Sequence, residues 1–171
     1  MKMARAGFVL IICALLIQHV QAQSLDLSAA KIVCLTANKS FLLRTPVVLQ
    51  EEIQKRTGIR LTVTNKKTSS TGPAIMLIDA NDLSGLSENQ RKALAALASI
   101  SAEGYQLAET GADRTVLISG KDPRGLLYGV GYLLRKLEMR PGRVELKGDI
   151  SMASNPFYPL RGHQLGYRPK T

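Results

Sequence analysis

The chain has 171 residues, with 23 Lys and Arg against 13 Asp and Glu, a formal net charge of +10 and 45% hydrophobic residues. That length allows one domain and hardly two, and that much apolar side chain excludes a disordered or low-complexity protein. Two cysteines exclude a disulfide-framed fold, and two histidines are too few for a His-rich metal site, so neither a metal nor another cofactor is expected.

Residues 1–22 read as a signal peptide. Lys2 and Arg5 give a positive start, and Ala6 to Ile17 is an apolar run of 12 residues, short for a bilayer span but suited to a signal core. Val20 and Ala22 stand at −3 and −1 of a cleavage site before Gln23. The expected product is exported, periplasmic or extracellular, with no membrane association beyond export. Cleavage leaves 21 basic against 13 acidic residues, a net charge of +8, with Cys34 and His163 the remaining cysteine and histidine. Cys34, inside the apolar run Lys31 to Leu35, reads as a small buried residue rather than a nucleophile.

Strands and helices then alternate. Ile32 to Leu35 is predicted as a short buried strand. Pro46 to Arg56 has Val47, Leu49 and Ile53 at helical spacing, with Thr45 as N-cap, Pro46 at the first helical position and Gly58 as the stop. Arg60 to Val63 alternates as a strand. Ala74 to Ile78 is apolar throughout, as in a central strand covered on both faces. A helix over Ser87 to Ala98 carries a capping-box pair, Ser87 and Gln90.

Gly104 to Glu109 and Arg114 to Ser119 flank the turn residues Thr110 to Asp113 and predict a hairpin. Asp122 as N-cap and Pro123 at N1 open a second long helix, with Leu126, Leu127, Val130, Leu133, Leu134 and Leu137 in one stripe. Gly125, Gly129 and Gly131 interrupt it, each costing about 0.5–1 kcal/mol relative to Ala. Such a helix needs a close neighbour, either the domain's own sheet or a second domain pressing on the Gly125/Gly129 face.

The familiar chemical motifs fail. Gly120 to Gly125 has a phosphate loop's outer spacing, but Leu126 and Leu127 stand where Lys and Ser or Thr belong. Gly129-Val130-Gly131 lacks the third glycine of a dinucleotide site and lies inside a helix. No Gly-x-Ser-x-Gly accompanies His163. Adjacent Glu51 and Glu52 point to different sides of a helix and cannot act as a hydrolytic pair, and no acid follows Asp149. The basic residues are scattered without interleaved aromatics, which excludes a nucleic-acid face.

Three segments together carry a resemblance: Glu103-Gly104-Tyr105-Gln106-Leu107, Val116-Leu117-Ile118-Ser119-Gly120, and Asp122-Pro123-Arg124-Gly125-Leu126-Leu127-Tyr128-Gly129. This pattern resembles the accessory domain that precedes the catalytic barrel in the β-N-acetylhexosaminidases of glycoside hydrolase family 20 and the α-glucuronidases of family 67. The resemblance implies an α/β (α+β) sandwich, with a mixed, largely antiparallel sheet and helices packed on one face against the following barrel. It implies a domain over residues 23–156 and, over 157–171, the first strand of a (β/α)8 barrel. Phe157-Tyr158-Pro159-Leu160-Arg161-Gly162 is similar to the segment leading into that barrel. By that likeness Arg161 binds sugar hydroxyls, a task suited to a guanidinium's two parallel donors, and His163 adds a polar contact. Gly166 stands where the hexosaminidase pattern has an Asp.

The function so implied is a non-catalytic N-terminal part of a truncated, exported glycosidase of polysaccharide or glycoconjugate breakdown. Its partners would be the carbohydrate substrate, through the parent enzyme, and a missing C-terminal barrel packed on the Gly125/Gly129 helix. The chain alone is expected to be inactive. The alternative is an exported non-enzymatic module that binds carbohydrate or protein through the same face.

Overall fold

In a computed structural model, which describes residues 24–36, 39–42, 44–65, 72–111 and 114–158, two sheets enclose the main core. The strands are β1 (Ser24–Asp26), β2 (Lys31–Leu35), β3 (Thr62–Thr64), β4 (Ala74–Asp79), β5 (Tyr105–Thr110), β6 (Thr115–Gly120), β7 (Leu137–Arg140), β8 (Arg143–Lys147) and β9 (Met152–Ser154). The helices are α1 (Lys39–Leu42), α2 (Thr45–Thr57), α3 (Glu88–Ala95) and α4 (Pro123–Lys136). The larger sheet has six strands in the order β3-β2-β4-β6-β5-β9. Strands β3, β2, β4 and β6 run parallel, and β5 and β9 complete the sheet antiparallel. A second sheet of three antiparallel strands has the order β1-β8-β7.

The two-residue alternation of side chains gives the larger sheet two apolar faces. Ile32, Cys34, Ile75, Leu77, Leu107, Val116 and Ile118 form one core with Leu49 and Ile53 of α2 and Leu126, Val130 and Leu133 of α4. The small sheet adds Leu25, Leu137, Val144 and Leu146 to that core. On the opposite face Val33, Met76, Ile78, Ala108 and Leu117 meet Leu86 and Leu94. The mixed α/β sandwich expected from the sequence is therefore present, but the larger sheet has three parallel ladders against two antiparallel ones instead of being largely antiparallel, and α3 covers its second face. Apolar residues at four consecutive positions of β4, Ile75 to Ile78, are buried because both faces are covered.

The local signals explain most boundaries. Ser87 accepts a hydrogen bond from the Gln90 amide while Gln90 Oε1 accepts from the Ser87 amide, closing the capping box of α3. Gly58 follows α2 with φ +76° and donates its N–H to the Gln54 carbonyl at 2.8 Å, a left-handed stop that a side chain would strain. Three details depart from the sequence reading. Thr45 is the first residue of α2, not its cap; Arg44 holds the cap position without a side-chain hydrogen bond, directly behind α1. Leu127 is 41% exposed and leaves the buried stripe. Leu137 keeps the helical spacing but starts β7, where it pairs with Leu146.

Candidate functional site

Asp122 organises the junction between the hairpin and α4. Its Oδ1 accepts from the Gly125 N–H at 2.9 Å, capping the helix, and its Oδ2 accepts from the Glu103 N–H at 2.6 Å. Glu103 adopts φ +60°, an uncommon conformation for a residue with a side chain, and that amide contact helps to hold it there. The Glu103 carboxylate accepts from Arg124 Nη1 at 2.9 Å, and the Lys121 N–H donates to the Gly104 carbonyl at 3.1 Å.

Asn155 fastens the other side of the same loop. Its Oδ1 accepts from the Ser101 N–H at 2.7 Å, and its Nδ2 donates to the Ser99 carbonyl at 3.0 Å. Beside this clamp, Tyr105, Leu127, Tyr128 and Arg135 wall a groove of about 300 Å³. The Tyr105 and Tyr132 rings stand 6.2 Å apart, and the Arg135 guanidinium lies 5.8 Å from the Tyr132 ring centre. Among the described residues, Glu103 is the one carboxylate lining this groove, and it is engaged by Arg124.

A second groove, of about 310 Å³, is lined by Glu109, Gly111, Gly148, Asp149 and Ser151. Burial, seconded by the charge of Asp149, pushes the Glu109 carboxyl above its ordinary range. Asp149 is held below its ordinary range by accepting the Ser151 N–H at 2.7 Å. The sequence reading missed this pair, because the two acids lie on different elements and only the close approach of β5 to the chain after β8 brings them to one groove. Asp149 serves the turn it sits in, and among the described residues no aromatic ring lines this groove for a sugar to stack on.

Gly125 and Gly129 face inward. A Cβ on Gly125 would run into the Gly104 carbonyl oxygen, and one on Gly129 would stand 2.7 Å from Ile118 Cγ2 and 3.4 Å from Tyr105 Cβ. The close neighbour these glycines admit among the described residues is the hairpin of their own domain, the first of the two neighbours the sequence left open. The open face of α4 carries Leu127 and Tyr128 instead. Arg161 and His163 lie outside the described residues. Among the described residues, no group of three or more His, Cys, Asp or Glu could hold a metal ion, and no helix is long and apolar enough to cross a membrane.

The sequence profile of glycosyl hydrolase family 20, domain 2, matches residues 16–154. The chain belongs to that family. Its fold is similar to that of the GH20 β-N-acetylhexosaminidase from Streptomyces coelicolor A3(2), at 22% identity and a TM-score of 0.52 over 76% of this chain. It is also similar to the Streptomyces plicatus N-acetyl-β-hexosaminidase, at 20% identity and a TM-score of 0.51 over 81% of this chain. The matched part is 23% and 24% of those two proteins, so this chain spans about a quarter of their length. No curated protein matches the sequence. Domain 2 is a non-catalytic accessory domain of family 20 glycoside hydrolases. The family 67 half of the resemblance draws no support from these matches.

Proposed function

We propose that the parent protein is an exported β-N-acetylhexosaminidase-type glycoside hydrolase, that this chain is its accessory domain, and that the hydrolytic carboxylates lie in a catalytic domain beyond residue 171. The observation that carries this reading is the domain 2 match over 16–154, with about three quarters of each Streptomyces hexosaminidase outside the matched part. The local chemistry agrees: among the described residues the aromatic-walled groove has one carboxylate, already paired, where glycoside hydrolysis needs two acting across the sugar bond. Residues 157–171 lead toward the catalytic domain in this reading, and Arg161 and His163 contribute to its sugar site. The parent enzyme acts in the breakdown of polysaccharide or glycoconjugate.

The test is hydrolysis of an aryl N-acetyl-β-glucosaminide by the 171-residue chain and by the product of the continued reading frame. The expected result is activity in the longer protein only, reduced by Arg161→Ala. Turnover by the short chain that Arg161→Ala abolishes would overturn the reading. Export is checked separately by N-terminal sequencing of the secreted product, with Gln23 expected as the first residue.

A further inference from the structure

Strand β1 is built into the domain through both its backbone and its side chains. Ser24, Leu25 and Asp26 pair with Lys147, Leu146 and Glu145 of β8. Just past the strand the Leu27 N–H donates to the Val144 carbonyl at 2.9 Å, and the Val144 N–H donates to Ser28 Oγ at 3.0 Å. Leu25 is 6% exposed and Leu27 is fully buried, both in the core that the two sheets enclose. Yet β1 lies at the edge of the small sheet, paired with β8 alone among the described residues, so it can leave without breaking any other pairing.

In the sequence, the cleavage site of the signal peptide directly precedes this strand. The bond to be cut joins Ala22 to Gln23, so Ser24 and Leu25 are the second and third residues beyond it. A processing protease takes its substrate as an extended segment and encloses it on both faces. Docked β1 has one edge given to β8 and one face turned into the core through Leu25. Ser24 and Leu25 therefore have two claimants, and the docked strand satisfies only one of them.

From this competition we infer that docked β1 shields the cleavage site, so that the signal peptide is removed only while β1 is undocked and the small sheet unfinished. The inference rests on the export reading above. Undocking carries Leu25 and Leu27 into water, which holds the open form of a folded precursor to about one molecule in a hundred or fewer. A chain that closes β1 early is thus a poor substrate, and a chain cut first gains a strand that closes the sheet behind the cut.

The test is cleavage of the full 171-residue chain by a purified signal peptidase in detergent, with the chain either folded or freshly diluted from urea. The freshly diluted chain should be cut before Gln23, and the folded chain about a hundredfold more slowly. Leu25→Ser should speed cutting of the folded chain about tenfold. Ser28→Ala removes one hydrogen bond, leaves the core intact and should speed it a few-fold, which keeps the test decisive if Leu25→Ser does not fold. Leu94→Ala, in the core on the opposite face of the larger sheet, is the control and should leave the rate unchanged. Equal rates for the folded and freshly diluted chains, or β1 variants no faster than the unsubstituted chain, overturn the shield and leave the export reading standing. Equal acceleration by Leu25→Ser and Leu94→Ala ties cutting to unfolding of the whole domain and also overturns the shield. A freshly diluted chain that is not cut before Gln23 overturns the export reading, and this inference with it.

Discussion

Gly129→Ala sets two known effects against each other inside α4. Alanine in a helix interior gains about 1 kcal/mol over glycine from backbone entropy. Against this, the new methyl carbon would stand 2.7 Å from Ile118 Cγ2, where carbon atoms settle at about 3.5–4.0 Å. Ile118 is fully buried in β6, and Tyr105 closes the adjacent side at 3.4 Å, so the helix must shift by roughly 1 Å. That shift loosens Leu126, Val130 and Leu133, all fully buried, and overpacking of this kind costs about 3 kcal/mol at its upper end. The net loss is about 2 kcal/mol, a fall in melting temperature of about 6 °C. Gly131→Ala is the control, because its Cβ meets only the Arg135 side chain, at an ordinary 3.6 Å. It should gain about 1 kcal/mol. Both are read by thermal denaturation of the 171-residue chain followed by circular dichroism. If Gly129→Ala melts at or above the unsubstituted chain, the hairpin is not the neighbour that requires the glycine. The result also separates the two sequence readings, since a glycine kept for another domain would leave the isolated chain more stable as alanine.

Asp122→Ala removes the α4 cap and the acceptor of the Glu103 amide together. A cap is worth about 1 kcal/mol and a stranded part-buried donor a similar amount, so denaturant unfolding should show a loss of about 2 kcal/mol, with Asp122→Asn recovering part of it. Cys34, buried in β2 and pushed up to about 11 by desolvation, should resist iodoacetamide at pH 8 in the folded protein. Mass spectrometry of the Cys34 peptide should show alkylation at the rate of opening and full modification in denaturant; rapid labelling of the native chain would place the thiol nearer the surface.

The fold was legible where single residues carry an unambiguous stereochemical instruction. Asp122-Pro123, Ser87 with Gln90, and Gly58 each mark a helix end that the structure places there. The run Ala74 to Ile78 could be read as central because only a strand covered on both sides stays apolar at every position. The small sheet was not legible. Ser24–Asp26 has three residues, too few to show a period, and Leu137 continues the spacing of α4 while turning into β7. The three helical glycines signalled a close neighbour, but the neighbour of Gly125 and Gly129 is the hairpin itself, and spacing along a sequence does not say which surface arrives. The open face of α4 was hidden for a related reason: Leu127 fits the apolar stripe by periodicity, and only the packed helix shows that it faces outward.

The pairing of Ser24 with Lys147 and of Leu25 with Leu146 makes the first described strand wait for nearly the last. Most contacts of the larger sheet join segments much closer in the chain, and the β5–β6 hairpin can close by itself. For a polypeptide that emerges from its N-terminus, β1 spends the synthesis of the whole domain without its partner. The second sheet can thus form only after the rest has been delivered. Leu25 and Leu27, buried in the finished core, are until then available to whatever escorts the unfolded chain.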